Sequence, residues 1–181
     1  MVTACYLPVV NGVTRMIDLY KKEMESGGHE VNIFTWGDSD IATDDKMVVR
    51  SPGIPIRNSG YYAGFRFTSK AQHMLADMDI IHCHHLIMSL EFANRYARSP
   101  IVFTNHTRYD LYAQNYTRLP RPLLNSIMGY IWRKNASYSN AIIAPSESLR
   151  RVMVDVGIRQ PIKVIPNGIE IARWDRDPCA R

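Results

Sequence analysis

The sequence of 181 residues predicts an α/β fold: an open, doubly wound, mainly parallel sheet. Short β-rich segments alternate with helical ones from one end to the other. Several of the strands are continuously apolar, as in Ile80-Ile81 and Ile101-Val102-Phe103, which requires cover on both faces. Polar and glycine-containing stretches fall at or just after strand ends, where ligands collect in sheets of this kind.

Taken in order, "TACYL" (3–7) is short, apolar and β-branched enough for a buried strand. "LPVVNG" is a turn, and Val13, Met16, Ile17, Tyr20 and Met24 then recur at the spacing of one helical stripe, predicting a helix over 13–26 that Gly27-Gly28 stops. Further strands are expected at 30–36, 46–51, 79–84, 101–106, 141–146 and 162–167. Further helices are expected at about 66–77, about 87–98, 121–137 and 146–156. The stretch 37–64, rich in Asp, Ser, Gly, Pro and Tyr, reads as an extended loop around a short strand. Its aromatic neighbourhood, Tyr61, Tyr62 and Phe65, suits surface packing or the cover of a cleft. Ser146 is placed to cap the helix after it, with Glu147 in the favourable first turn.

With 46% hydrophobic and 22% charged residues the composition is that of a soluble domain with a proper core. No run of eighteen apolar residues and no secretory leader is visible. Cys5, Cys83 and Cys179 are widely separated and unpaired in spacing, which fits reduced thiols in the cytosol better than a disulfide framework or a zinc knuckle. The net charge of +5 is unevenly spread: no acidic residue lies between Asp110 and Glu147, while Arg118, Arg121, Arg133 and Lys134 do. Leu123, Leu124, Ile127, Ile131 and Trp132 interleave with them. Such a helix suits an anionic membrane interface, or a core position with a solvated basic edge. Nucleic acid is disfavoured as a partner, because the basic residues mix with aliphatics rather than with stacking aromatics on a sheet.

Two clusters invite chemistry. At Asn11-Gly12 a residue without a Cβ precedes a helix whose free N–H groups and dipole attract an anion such as phosphate. A plain tight turn accounts for the same pair. His82, His84 and His85 invite a metal reading, since 82 and 84 share one side of a strand. No further ligand set with metal spacing accompanies them, so no metal is assigned. His85, at the strand end, can reach a cleft.

The segments "YLPVVNGV" (6–13), "GGHEVNIFT" (27–35), "DIIHCHH" (79–85), "VFTNHT" (102–107), "AIIAPSESLRRVM" (141–153) and "VIPNGIE" (164–170), in this order and spacing, resemble the N-terminal domain of family 4 retaining glycosyltransferases of the GT-B fold. The resemblance covers nearly all of the chain. "HTRYDLYAQNY" (106–116) looks most like enzymes that glycosylate diacylglycerol or phosphatidylinositol lipids.

What the resemblance implies is a Rossmann-like, acceptor-side domain over 1–168 and the start of an interdomain linker over 169–181, with the donor domain and its pair of glutamates absent. The implied substrates are a UDP- or GDP-linked sugar and a lipid acceptor at the cytoplasmic membrane face; no cofactor or metal is implied. Gly12 matches the family glycine whose amide contacts the donor diphosphate, and Asn11 stands where many members have a second glycine. His106 matches the active-site histidine, which positions the donor sugar near its C6 hydroxyl. Thr107, Arg108, Tyr109 and Tyr112 match the acceptor side. On its own, residue-level reading leaves a second possibility: a non-catalytic module binding a lipid headgroup or a partner protein.

Overall fold

The computed structural model describes residues 1–37, 46–56, 60–112 and 120–168. The expected linker, 169–181, lies outside them. Its central feature is one parallel sheet. Val2 bridges Phe34 on one side and Cys83 on the other, both in parallel sense, and so joins β1 (Ile33–Trp36) and β2 (Val48–Ser51) to β5 (Ile81–Cys83), β6 (Ile101–Thr104), β7 (Ala141–Ala144) and β8 (Ile162–Val164). The order is β2-β1-Val2-β5-β6-β7-β8, with a reversal of winding at the first strand. That reversal is the switch point at which open α/β sheets bind ligands.

The first strand is earlier and shorter than expected. Pairing runs through Met1–Thr3, with Val2 N donating to His82 O at 2.8 Å and Thr3 N to Phe34 O at 3.0 Å. The Thr3 hydroxyl then donates to Cys5 O at 2.8 Å and turns the chain out of the sheet, so "ACYL" packs as a buried bend. Within 37–64, Ile54–Pro55 (β3) pairs antiparallel with Tyr62–Ala63 (β4), a two-residue ladder too short to leave an alternating pattern.

Two helical layers cover the sheet. On one face α2 (Ser69–Ala76), α3 (Ser89–Tyr96), α5 (Arg121–Ala136) and α6 (Glu147–Asp155) bury Leu75, Leu90, Phe92, Trp132 and Met153 against Phe34, Trp36, Cys83, Phe103 and Ile142. Trp36 anchors this core, stacked on Phe67 at 4.6 Å and edge-on to Phe92 at 4.8 Å. On the other face lies α1 (Gly12–Ser26), whose Ile17 packs on Met1, Val31 and Ile33. Of its predicted stripe, Met16 and Ile17 are buried, Val13 and Tyr20 are half-buried, and Met24 is largely solvent-facing. Beside α1 a cavity of about 820 Å³ opens, with Met24, Met78, Ile80, His82, Val102 and Ile143 in its walls. Ser146 caps α6 as expected, accepting from Leu149 N at 3.2 Å. Among the described residues no helix is long and apolar enough to cross a membrane.

Candidate active site

Because every strand of the main sheet runs the same way, the segments after the strands emerge along a single rim. Asn11-Gly12 lies on the segment after the first strand, His84-His85 follow β5, Asn105 to Arg108 follow β6, and Asn167-Gly168 follow β8. Local chemistry fixes each of them. The Asn11 side chain accepts from Val13 N at 2.9 Å and Thr14 N at 3.0 Å, while Thr14 Oγ1 accepts from Asn11 N at 2.9 Å. This capping box sets where α1 begins. Asn11 is therefore occupied as a cap, and its Nδ2 donates to Cys5 Sγ at 3.7 Å. Gly12 is exposed, and a Cβ built there would meet nothing within 4 Å. Neither packing nor a positive φ demands glycine at that position. The first residue of α1 thus has open space beside its Cα, at a helix end whose N–H groups favour an anion.

The loop before Gly12 is held from below. Arg50 Nη2 donates to Leu7 O, and Gly60, at φ +75°, has Val9 so close that a Cβ would fall 2.3 Å from Val9 Cγ2. Behind the loop, His85 Nδ1 meets Thr3 Oγ1 at 3.1 Å and accepts from Ala4 N at 3.2 Å, and Tyr61 stands edge-on to its ring at 5.9 Å. His85 thus serves the join between the first strand and β5. At the far end of the rim, a Cβ on Gly168 would lie 3.2 Å from Leu19 of α1, so the exit turn after β8 crosses back toward the helix that Gly12 starts.

His106 follows β6 and is half-buried. Its Nε2 lies 3.1 Å from His84 Nδ1, and the two rings stack at 5.4 Å. His84 in turn lies 4.2 Å from His82, and Tyr20 of α1 lies about 6 Å from both. His82 Nε2 meets Thr104 Oγ1 at 2.6 Å. Burial drives all of these imidazoles toward the neutral form: His106 falls to about 4, His85 to about 4 and His82 to about 3, while His84 drops well below its usual value, with neighbouring imidazoles adding to the effect at His84. At neutral pH, His106 is a neutral hydrogen-bonding group. Among the described residues no three His, Cys, Asp or Glu side chains are arranged to hold a metal ion; these histidines use ring nitrogens on each other and on Thr104.

Past His106 the chain forms a single helical turn, α4 (Tyr109–Tyr112). Tyr109 faces inward: its hydroxyl accepts from Leu86 N at 3.1 Å, Thr107 bonds the same hydroxyl, and its ring meets Trp132 edge-on at 5.5 Å. Burial pushes its phenol up to about 12. Tyr109 locks the segment after β6 to the loop after β5, leaving Thr107 and Arg108 half-buried beside the rim. The Tyr112 side chain lies outside the described residues. Sequence reasoning missed Tyr20 and Thr104 here. The β5–β6 register, His82 beside Val102 and Cys83 beside Phe103, is what brings Thr104 next to the histidine row. Asn105 is fully buried with neither amide atom partnered among the described residues.

The helix start at Gly12 and the neutral imidazole of His106 both follow strands of the parallel sheet, and the model of Glycosyltransferase Family 4 matches residues 10–173 of this chain. The chain belongs to that family. It is 32% identical over 186 residues to an alpha-monoglucosyldiacylglycerol synthase of Streptococcus pneumoniae, covering 96% of this chain and 41% of that protein. To the protein of the same name from Acholeplasma laidlawii it is 27% identical over 180 residues, covering 92% of this chain and 45% of that one. The chain therefore spans less than half the length of these relatives.

Proposed function

We propose that the chain is the acceptor-binding half of a retaining glycosyltransferase that moves a hexosyl group from a UDP- or GDP-linked donor to a membrane lipid. The observation that carries this reading is the rim: an exposed Gly12 with open space at its Cβ position, at the start of a fifteen-residue helix, and a neutral His106 both follow strands of one parallel sheet. The α1 N-terminus stabilises the diphosphate, whose charge grows as the bond from sugar to phosphate breaks. His106, neutral and fixed through its ring nitrogen, positions the donor sugar rather than removing a proton. In this scheme the leaving phosphate accepts the acceptor's proton, and no metal or cofactor is required. In this reading the donor side corresponds to the part of the relatives' length that this chain does not span, 41% and 45% of them being covered.

Two further observations support a lipid acceptor. Both relatives carry the name alpha-monoglucosyldiacylglycerol synthase. On α5, Leu123, Ile127 and Tyr130 form an exposed apolar stripe at helical spacing, flanked by exposed Arg121, Arg133 and Lys134. A helix of this kind binds an anionic bilayer from its cytoplasmic face. Thr107 and Arg108, half-buried on the segment after β6, then meet the headgroup.

The test is transfer by the full-length protein from UDP- and GDP-linked hexoses to diacylglycerol and to glucosyl-diacylglycerol in vesicles. Turnover with one pair that is lost in a His106→Ala protein supports the proposal. Ligand binding without turnover of any donor would favour the non-catalytic module instead.

A further inference from the structure

We propose that His84 is a positioning residue which fixes the tautomer of His106, so that His106 presents an Nδ1–H donor to an oxygen of the bound ligand. The inference rests on the reading of His106 given above. It begins with the contact between His84 Nδ1 and His106 Nε2 at 3.1 Å. Both rings are neutral at neutral pH, so one nitrogen of this pair carries the hydrogen and the other accepts it. Two arrangements satisfy the bond. In one, His84 donates from Nδ1 and His106 carries its proton on Nδ1. In the other, His106 donates from Nε2 and His84 must carry its own proton on Nε2.

The surroundings of His84 Nε2 distinguish them. His84 is 1% exposed, and its Nε2 has no hydrogen-bond partner among the described residues. The neighbouring rings of His82 and Tyr20 lie within 40° of parallel to it, at 39° and 32°, so neither offers its face to an in-plane N–H. The second arrangement therefore buries an orphan donor. The first leaves only an unfilled lone pair, and buried orphan N–H groups are the rarer defect in folded proteins. His84 thus holds its hydrogen on Nδ1, and His106 Nε2 accepts it. The remaining nitrogen of the half-buried His106 ring, Nδ1, is then a donor. It selects a ligand oxygen with a free lone pair, as a sugar hydroxyl or a phosphate provides. No bond is made or broken by His84.

The experiment is ring-15N histidine NMR on the full-length protein, in which the one-bond and two-bond nitrogen-to-ring-hydrogen correlations identify the protonated nitrogen of each imidazole, with transfer kinetics on two variants. Wild type should show His84 and His106 both protonated at Nδ1. His84→Asn keeps an N–H donor near the position of Nδ1 and should leave His106 in that form with donor KM close to wild type. His84→Leu removes the donor; His106 should move toward the Nε2–H form, and donor KM should rise on the order of tenfold, as for the loss of one hydrogen bond. A wild-type His106 protonated at Nε2 overturns the proposal, and so does an unchanged tautomer in a folded His84→Leu protein. If His84→Leu does not fold, the wild-type spectrum and His84→Asn still decide. Failure of the underlying reading has a different signature: His106→Ala would transfer sugar normally whatever the tautomer spectrum shows.

Discussion

Replacing Gly12 with alanine separates what the fold needs from what the ligand needs. The position has a backbone that any residue adopts, and a methyl group there touches no atom within 4 Å. Removing glycine from a helix gains at most about 0.5–1 kcal/mol, and less at its first residue. The melting temperature of the full-length protein should therefore stay level or rise by no more than about 2–4 °C. Transfer should fall all the same, because the methyl occupies the space through which a phosphate reaches the amide. A displacement of about 1 Å in a reacting group costs on the order of 10²-fold. The assay is a thermal melt paired with initial rates against donor concentration. Gly64→Ala is the control with the opposite pattern: its Cβ would fall 1.8 Å from Trp36 Nε1, an overpacking that costs about 1–3 kcal/mol and lowers the melting temperature. A Gly12→Ala protein with wild-type turnover and wild-type donor KM would refute the anion-site reasoning.

Other expectations follow from the same structure. His82, His85 and His106 are held below their unfolded value of about 6.5, to about 3, about 4 and about 4, and His84 is lowered as well. Protons then bind the unfolded chain first, so stability is full above about pH 6.5 and is lost as pH falls toward about 4. Urea titrations at pH 7.5 and 5.5 should show a marked drop, and equal midpoints would contradict the buried neutral row. Ser146→Ala removes the cap on α6 and should cost about 1 kcal/mol, read by urea denaturation, without altering donor KM. Replacing Leu123, Ile127 and Tyr130 together by serine should abolish flotation with anionic vesicles at low salt; undiminished flotation would remove α5 as the membrane surface.

Much of this was legible in the sequence because its signals are local. The helical spacing from Val13 to Met24, the apolar run in β6, and the Ser146 cap each depend on neighbouring residues alone, and the parallel topology follows from the alternation of elements; Ile80 of the expected Ile80-Ile81 run instead precedes β5 and is exposed. The rim followed from the topology too, since parallel strands deliver their ends together. What stayed hidden depends on pairing between distant segments. Tyr20 reaches His82 and His84 only because α1 lies back across the sheet, and Thr104 meets His82 only through the β5–β6 register. The two-residue ladder of β3 and β4 is too short for any periodicity. Tyr109 reads as a candidate acceptor contact beside His106, and its anchorage to Leu86 N and Trp132 is a tertiary fact.

The account stands on the Gly12 amide and the His106 ring facing one bound donor. The most direct measurement is a crystal structure of the full-length protein with an intact or non-hydrolysable nucleotide sugar. The account predicts a diphosphate oxygen within hydrogen-bond distance of Gly12 N, with a sugar hydroxyl against His106 Nδ1. A donor bound with its diphosphate away from the α1 N-terminus, or with His106 touching no part of it, would contradict it.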